Sequence, residues 1–499
     1  MTPLIISQTM TTNSIATIFG IAFISTVLAT PAAKWLGTQL GLVDNPDNYR
    51  KIHKNAIPLG GGIAVFFGFV VPILFSVRFS DVNQFLPQDA TDMIVMLIVG
   101  GSTALLMGLA DDLRNLKARW KIVFQILAAL LAYSGGFRID SISSPFGASI
   151  ELGYVGFLVT MLWFLVCMNA INLADGLDGL SAGIGFIVSL TLLGVNIAAG
   201  NTLGILLNAC LSGALLGFLI FNFNPASIFL GDSGSMFIGF LVAAISLLTK
   251  NKAETATALL IPLMALGLPI YDMAIAIVRR WAGRNPISVA DKRHIHHSLL
   301  SLGFSHRETV VVLYCISIAL CLASVIMVLT RSQYSALILV LLVLAIIIGT
   351  RVLKLINMSE LRSRLRQDHE EHLWRKAVTL DVEKAVQQAT LANSTKELYE
   401  CFTSAFEALE LDKAELHLVG DQDEAPLIWR NPQLADLSNA KEQVELDTWQ
   451  LKLMIRSTTG TPGHLSVLKR GGIRKTKNLE IFIDRIRNAI QLRLGPINR

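Results

Sequence analysis

The stretch NAINLADGLDGL, Asn169 to Leu180, decides how the rest of the chain is interpreted. It follows an apolar run that begins near Leu152 and carries no charge as far as Ile171. A run of this length is typical of a membrane-spanning helix, because a bilayer core about 30 Å thick needs about 20 helical residues. Two asparagines, two aspartates and two glycines then follow within twelve residues. The stretch therefore lies at a predicted membrane boundary.

The composition indicates that the membrane is the solvent for most of the chain. The 499 residues are 53% hydrophobic and only 16% charged, with a mean hydropathy of +0.55. Ordinary soluble domains carry more charge than this. Eleven apolar runs recur, at approximately residues 14–33, 58–77, 93–110, 121–137, 152–171, 180–199, 204–221, 234–249, 256–278, 308–329 and 335–350. We predict an all-α polytopic membrane protein with about 11 transmembrane helices.

The basic residues orient these runs. With the N-terminus outside, the inner connections hold fourteen Lys and Arg residues and the outer connections hold five. This bias agrees with the positive-inside rule. The net charge of +5 then indicates contact with anionic headgroups of membrane lipid, and nucleic acid is not a predicted partner.

Four polar clusters fall on the inner face in this orientation. They are Asp111 with Asp112, the stretch Asn169 to Asp178, the segment GDSGS at Gly231 to Ser235, and the loop Arg279 to His297. Each has a simpler explanation when taken alone. The paired aspartates would form an interfacial ion network, DGLDG a turn, GDSGS a helix cap through its own Asp or Ser, and the histidines a solvated turn or a zinc site.

Together, the clusters have the composition of a phosphate site. Mg²⁺ takes one or two carboxylates, while phosphates and water fill its other positions. Cationic donors to a pyrophosphate would come from Lys121, Arg280, Arg293 and the histidines. The glycines of DGLDG and GDSGS would let backbone amides approach a crowded anion. The two aspartates of DGLDG, three residues apart, would share one face if that stretch is helical.

Five ordered motifs carry a resemblance to a known family. They are RKIHKNAIPLGGG from Arg50, GLADDLRNLKARWKIVFQ from Gly108, NAINLADGLDGLSAG from Asn169, FNFNPASIFLGDSGSMFIG from Phe221 and RRWAGRNPISVADKRHIHHSLLSLGFS from Arg279. Over roughly residues 14–350, the chain resembles the polyprenyl-phosphate N-acetylhexosamine-1-phosphate transferases, which are of glycosyltransferase family 4 type. The HIHH form is more similar to the bacterial undecaprenyl-phosphate N-acetylglucosamine-1-phosphate transferases than to the muramyl-pentapeptide transferases.

The resemblance implies a reaction and its partners. Undecaprenyl phosphate would attack the β-phosphorus of a UDP-N-acetylhexosamine, with UDP-N-acetylglucosamine favoured, to give UMP and a lipid-linked sugar that initiates a cell-envelope polysaccharide. The implied cofactor is Mg²⁺, with Mn²⁺ as a substitute. The implied location is the bacterial cytoplasmic (inner) membrane, with the active site and the C-terminal domain facing the cytosol. A homodimer is also a predicted state.

The resemblance also implies roles for individual residues. Asp232 is the expected Mg²⁺ ligand, and Asn172 is a second one. The substrate-binding set is Asn169, Asn172, Asp175, Asp178, Arg280 and Arg293. The catalytic set is Asp111, Asp112, Lys121, His294, His296 and His297. Because the second pKa of a phosphate monoester is near 6, a general base is optional. The paired aspartates would therefore act as a base, hold Lys121 or organise metal-bound water.

The chain departs from the family after the last run. We predict a membrane-embedded transferase domain at residues 1–352, a charged helical linker at 353–392 and a small cytosolic α/β domain at 393–499. In the last of these, Ser394 and Glu397 form a capping-box pattern before a helix. Alternation at residues 449–455, and again at 465–467, indicates strands, and residues 478–494 return to helical periodicity. This order resembles a GAF-like domain, and a packed interaction domain without a ligand is an equal alternative.

Two other functions are alternatives to a transferase. A polytopic transporter of lipid-linked substrates would explain the spans, but it predicts charges at mid-membrane. The acidic motifs gather instead at one boundary. A membrane sensor would make the C-terminal domain primary, but the predicted spans and motifs exceed what an anchor requires.

Overall fold

The chain forms two compact units, Met1–Leu361 and Arg362–Arg499. The computed structural model describes residues 10–44, 56–79, 81–143, 149–249, 260–282, 294–330, 335–353, 355, 358–418, 426–432, 448–456, 462–470 and 476–497. Each unit has its own cluster of buried apolar side chains. The three-part division at residues 352 and 392 stays a prediction.

The first unit is a helical bundle. Its helices are α1 (Thr12–Gln39), α2 (Gly61–Phe79), α3 (Ala90–Arg114), α4 (Ala118–Ser134), α5 (Tyr154–Ala174), α6 (Leu180–Ala199), α7 (Thr202–Asn222), α8 (Gly231–Ser246), α9 (Leu260–Ala265), α10 (Gly267–Ala282), α11 (Ile295–Ser301), α12 (His306–Leu329) and α13 (Ser335–Val352). Two short antiparallel ribbons pair β1 (Val43–Asp44) with β2 (Ile57–Pro58), and β3 (Ser141–Ser143) with β4 (Ser149–Glu151).

Seven of the described helices are long and apolar enough to cross a membrane. They are α1, α2, α3, α5, α6, α7 and α12. The chain is therefore a multi-pass membrane protein. The other four predicted runs are also helical where they are described, but α4 and α8 are shorter, and the ninth run is divided between α9 and α10. In α13, the apolar helix begins at Val340. The count of eleven spans stays a prediction.

Helix α8 is the buried centre of the bundle. Every residue from Ser233 to Ser246 is buried, and the helix packs against α2, α3, α5 and α6. Glycines line its first turn. A Cβ at Gly108 of α3 would lie 2.3 Å from Ser233 Cα, and a Cβ at Gly62 of α2 would lie 2.4 Å from Gly234 N. Only glycine permits such a close approach of two backbones. These contacts therefore set how deeply α8 lies between α2 and α3.

Backbone hydrogen bonds join the segment before α2 to the segment before α8. The N–H of Phe229 donates to Pro58 O at 2.9 Å, and the N–H of Gly61 donates to Phe229 O at 3.0 Å. The N–H of Gly62 donates to Leu230 O at 3.2 Å. The end of the first sequence motif, IPLGGG, therefore supports the GDSGS motif directly.

The second unit packs helices against an antiparallel sheet. Its elements are α14 (Met358–Ala389), α15 (Thr395–Glu400), α16 (Thr403–Ala408), β5 (Lys413–Leu418), β6 (Leu427–Arg430), β7 (Thr448–Arg456), β8 (Pro462–Arg470) and α17 (Thr476–Ile497). The strand order is β6-β5-β8-β7. Side chains from α14, α16, α17 and β8, such as Val382, Phe406, Ile486 and Leu465, meet in the core.

Most of the predicted elements of this unit are present. The two strand patterns form β7 and β8, and the terminal periodicity forms α17. The capping box is also present, since the N–H of Glu397 donates to Ser394 Oγ at 3.1 Å. The single helix expected after it is instead divided into α15 and α16, and strands β5 and β6 were not predicted. The GAF-like assignment stays a prediction.

Replacing Gly108 with alanine is expected to destabilise the first unit. The new methyl group would overlap the backbone of α8, and overpacking costs about 1–3 kcal/mol. This exceeds the gain of about 1 kcal/mol from removing a glycine from a helix. The midpoint of thermal unfolding in detergent should fall. Gly194→Ala on α6 is the matched control, because its Cβ would meet nothing within 4 Å. Equal midpoints for the two variants would contradict the close packing of α3 on α8.

Candidate functional site

A cavity of about 1360 Å³ lies where several helices of the first unit end. The predicted site residues on its wall are Asp111, Asp112, Asp175, Asp178, Asp232 and His297. Asp44, Lys34 and His306 also line it. The structure therefore brings together residues from the ends of α3 and α5 and the beginnings of α8 and α12. Six carboxylates share this wall.

Asp112 caps α8 from another helix. Its Oδ1 accepts the N–H of Asp232 at 2.9 Å, and its Oδ2 accepts the N–H of Ser233 at 3.2 Å. Leu230, at the capping position of α8 itself, supplies no side-chain acceptor. A Cβ at Gly231 would lie 2.7 Å from Asp112 Oδ2, and Gly231 has a φ of 75°. The cap expected from GDSGS itself is therefore supplied by α3, and Gly231 leaves room for it.

Lys121 forms ion pairs with two carboxylates. Its Nζ contacts the carboxylate of Asp111 and lies 3.2 Å from Asp232 Oδ2. The other oxygen of Asp232 accepts from Asn172 Nδ2 at 2.9 Å. Each oxygen of Asp232 thus has a donor, which fixes the orientation of the carboxylate. Of the alternatives for the paired aspartates, the contact with Lys121 is the one present, and Asp111 makes it.

Asn169 lies one layer behind this group. Its Nδ2 donates to Gln125 Oε1 at 3.0 Å, and Gln125 Nε2 donates back at 3.3 Å. Asn169 is not on the described cavity wall. It joins α5 to α4, the helix that carries Lys121.

The loop that contains Asp175 and Asp178 is not helical, because α5 ends at Ala174 and α6 begins at Leu180. Asp178 Oδ2 accepts from Asn224 Nδ2 at 2.9 Å and from the N–H of Ala226 at 3.1 Å. Asp178 therefore ties this loop to the loop before α8. The two aspartates do not share a helix face.

Asp175 faces a crowd of negative charge. Burial raises the pKa of Asp175 well above its usual range, and the carboxylates of Asp232, Asp112 and Asp178 raise it further. Each neighbour disfavours the ionised form. A cation in the cavity would relieve this repulsion.

Helix α12 supports the same loop with residues that the sequence analysis did not single out. His306 Nε2 accepts the N–H of Asp178 at 3.0 Å, and the Tyr314 hydroxyl donates to Gly179 O at 2.5 Å. His306 also reaches the cavity wall. Its position directly after the last family motif was the only available signal.

The histidines differ in exposure. His294 and His296 are buried, whereas His297 lines the cavity. Burial, with His297 nearby, lowers the pKa of His296 to about 3. His296 is therefore neutral at physiological pH and packs against Gly176, where a Cβ would lie 2.6 Å from His296 Nε2. Of these rings, only that of His297 is placed to meet a ligand in the cavity.

Asp272 is a buried acid that the sequence analysis missed. It lies on α10 inside the ninth predicted run and is 8% exposed. Its Oδ1 accepts the N–H of Ile295 at 3.0 Å, and His294 Nδ1 lies 3.2 Å from its Oδ2. A charge inside an apolar run is itself a signal for function.

Two predicted basic residues do not join the described site. Arg280 lies in the last turn of α10 and is not on the described cavity wall. Arg293 lies outside the described residues. Their proposed contacts with a substrate stay predictions.

The donor set at Asp232 fits a hard divalent cation. No group of three His, Cys, Asp or Glu side chains among the described residues is placed to hold a metal. Mg²⁺ does not need one, since one or two carboxylates suffice when phosphates and water complete its shell. Asp232 lines the cavity, and its side chain is 32% exposed. Asn172 turns Nδ2 toward Asp232, so only its Oδ1 would be a ligand.

These features define a multi-pass membrane protein with a carboxylate-lined phosphate-type site at the ends of its helices. The profile of glycosyl transferase family 4 matches residues 94–250. A Bacillus subtilis protein named "Probable undecaprenyl-phosphate N-acetylglucosaminyl 1-phosphate transferase" is 36% identical over 310 residues, which are 62% of this chain and 84% of that protein. The chain belongs to glycosyl transferase family 4.

Two further relatives extend this similarity. A Mycobacterium tuberculosis decaprenyl-phosphate N-acetylglucosaminephosphotransferase is 35% identical over 316 residues, which are 59% of this chain and 77% of the relative. An Escherichia coli undecaprenyl-phosphate alpha-N-acetylglucosaminyl 1-phosphate transferase is 28% identical over 299 residues, or 58% and 78% of the two chains. The resemblance drawn from the five motifs is confirmed. The transporter and sensor alternatives gain no support.

Removing the Asp112 carboxylate is expected to loosen α8. Asp112→Ala would leave the N–H groups of Asp232 and Ser233 without their acceptor, and each such buried donor costs about 1–3 kcal/mol. Asp112→Asn keeps one acceptor oxygen. The midpoint of thermal unfolding in detergent should therefore fall from wild type to Asn to Ala. Asp92→Asn, in the exposed first turn of α3, is the control. Equal midpoints for all four proteins would contradict the capping role.

Proposed function

We propose that this protein transfers N-acetylhexosamine 1-phosphate, with N-acetylglucosamine favoured, from a UDP-sugar to undecaprenyl phosphate. An acceptor phosphate oxygen forms a bond to the β-phosphorus of the donor. The bond from that phosphorus to the bridging oxygen breaks, and UMP leaves with the oxygen. The lipid-linked product would initiate a cell-envelope polysaccharide. The names of the relatives support the acceptor class and the transferred group.

The observation that carries the proposal is the pairing of Lys121 with Asp111 and Asp232 at the cavity wall. It places a cation and a fixed carboxylate from three different helices beside one space. Phosphoryl transfer depends mainly on positioning and on neutralising charge. This group provides both, and the cavity lies at the helix ends, where a lipid headgroup and a water-soluble donor can meet.

Asp232, with Asn172 Oδ1 as a second ligand, is the proposed holder of Mg²⁺, and Mn²⁺ is a proposed substitute. The ion would offset the charge of the donor pyrophosphate in a cavity whose wall already carries six aspartates. Lys121 would add a second positive charge, and Asn172 Nδ2 would keep the Asp232 carboxylate turned toward the cavity.

Asp111 is proposed to act mainly by holding Lys121. A phosphate acceptor is mostly dianionic at neutral pH, because its second pKa is near 6. The acceptor therefore needs little help in losing a proton. It needs compensation of its charge as it approaches an anionic donor, and Lys121 is placed to give it.

The finer topology is also proposed. We propose eleven spans in the bacterial cytoplasmic membrane, with the cavity and the second unit on the cytosolic side. The excess of Lys and Arg in the predicted inner connections supports this orientation. A homodimer and a GAF-like sensory or dimerisation role for the second unit complete the proposal. The helix, strands, helix order of that unit supports the GAF-like part.

Purified wild-type protein is expected to release UMP from UDP-N-acetylglucosamine only when undecaprenyl phosphate and Mg²⁺ are both present. Asp232→Ala should lower the rate by at least about 100-fold, since a misplaced reacting group alone costs about that much. Asp92→Asn should keep the wild-type rate. A panel of UDP-N-acetylhexosamines would identify the donor by its rate. Folded wild-type protein that releases no UMP with any donor would overturn the proposal.

Asp111→Asn should lower the rate at pH 7, and raising the pH to 9 should not restore it. The lost contact with Lys121 does not return when the acceptor is fully ionised. A required general base would behave differently, because full ionisation of the acceptor would replace it. The measurement is the ratio of variant to wild-type rates across this pH range. A ratio that climbs toward unity at pH 9 would assign Asp111 as the base.

A further inference from the structure

Asp272 joins two parts of the chain that are distant in sequence. Its Oδ1 accepts the N–H of Ile295 at 3.0 Å, and its Oδ2 lies 3.2 Å from His294 Nδ1. Asp272 and His294 are both buried, with 8% and 6% exposed. One carboxylate on α10 therefore holds both the backbone and the first histidine at the beginning of α11.

The contact also fixes the proton on the His294 ring. A carboxylate only accepts hydrogen bonds, so Nδ1 of His294 carries the proton that lies between the two groups. In the neutral ring, Nε2 is then the acceptor. A carboxylate behind a histidine sets both the tautomer and the plane of the ring, as in metal sites where such a partner orients the ligand.

The position of His294 is passed on to the cavity wall. The rings of His294 and His296 are parallel within 10°, with centroids 5.8 Å apart. The rings of His296 and His297 follow, with centroids 4.3 Å apart. His296 packs against Gly176, and His297 lines the cavity. A shift of His294 would therefore be felt by the ring that a ligand meets.

Capping alone does not explain a charged residue at this position. Placing a carboxylate in a buried apolar helix is costly unless it is fully hydrogen-bonded. An asparagine would accept the N–H of Ile295 equally well. The additional property of aspartate is its charge, which strengthens the bond to His294 and determines which ring nitrogen is protonated.

We propose that Asp272 is a positioning residue of the transferase, which acts through His294 to set the histidine series beside the donor. The inference rests on the proposed function, because the UDP-sugar is the ligand that His297 would meet. It assigns a role to an acid that lies outside the five sequence motifs and does not touch the cavity.

The central test is a double-mutant cycle with Asp272→Asn and His294→Gln, measured as UMP release. Asp272→Asn is expected to lower kcat/KM for UDP-N-acetylglucosamine by about 10-fold or more, with the KM for undecaprenyl phosphate changed by less than about twofold. In the His294→Gln protein, adding Asp272→Asn should have no further effect beyond about twofold. A second loss of the same size in that background would show that Asp272 does not act through His294, which overturns the proposal.

A structural readout separates positioning from folding. Diethyl pyrocarbonate labelling of each histidine, measured by peptide mass spectrometry without substrates, should leave His294 and His296 protected in both wild type and Asp272→Asn. Asp272→Ala, which also removes the cap on Ile295, should expose them. The exposed His372 on α14 is the internal standard. Exposure of His294 in Asp272→Asn would reduce its role to packing and would overturn the inference.

The two proposals fail in different ways. Active wild-type protein with an Asp272→Asn variant of equal kcat/KM overturns the positioning role alone. Wild-type protein that is folded, has protected histidines and releases no UMP overturns the transferase, and the positioning role falls with it.

Discussion

The arrangement of the site depends on two amide groups at the beginning of α8. A helix begins with N–H groups that have no partner within it, and in a bilayer such groups find no water. The residue before α8 supplies no side-chain acceptor, and Asp112 of α3 accepts both amides instead. Gly108 and Gly62 let the neighbouring helices approach closely enough for this contact. Asp232 is placed by the same turn, so the position of the proposed metal ligand follows from a helix cap.

The same device recurs around the cavity. Asp178 uses one carboxylate oxygen to hold the loop before α8, and Asp272 uses both oxygens to hold the beginning of α11. A carboxylate suits this task because it offers two acceptor atoms a short distance apart. The acids of this protein therefore divide into those that hold backbone and those that face the cavity. Asp232 and Asp175 remain for chemistry, with Asp111 bound to Lys121.

The helices were predictable because their signal is local. Apolar runs and caps are properties of neighbouring residues, and the runs that became α3, α5, α6, α7 and α12 follow from them. The gathering of the acids at one boundary also followed, since alternating spans fix which helix ends share a side. The cap on α8 and the contact of IPLGGG with the segment before α8 join distant parts of the chain, and no local pattern encodes them. Asp272 was missed for a different reason, because its apolar surroundings hid a charge that should have been questioned.

The charge balance of the cavity argues for how the proposed reaction is organised. The substrates are anions, and the described wall carries six aspartates with Lys34 as its one lysine or arginine. His296 cannot add charge at physiological pH, because burial lowers its pKa to about 3. Lys121 already serves two carboxylates. A pyrophosphate would therefore enter this space only with a cation of its own, and the proposed Mg²⁺ at Asp232 would arrive with the donor rather than wait for it. On this argument, the wall of aspartates selects for a metal-bound nucleotide and repels the free anion.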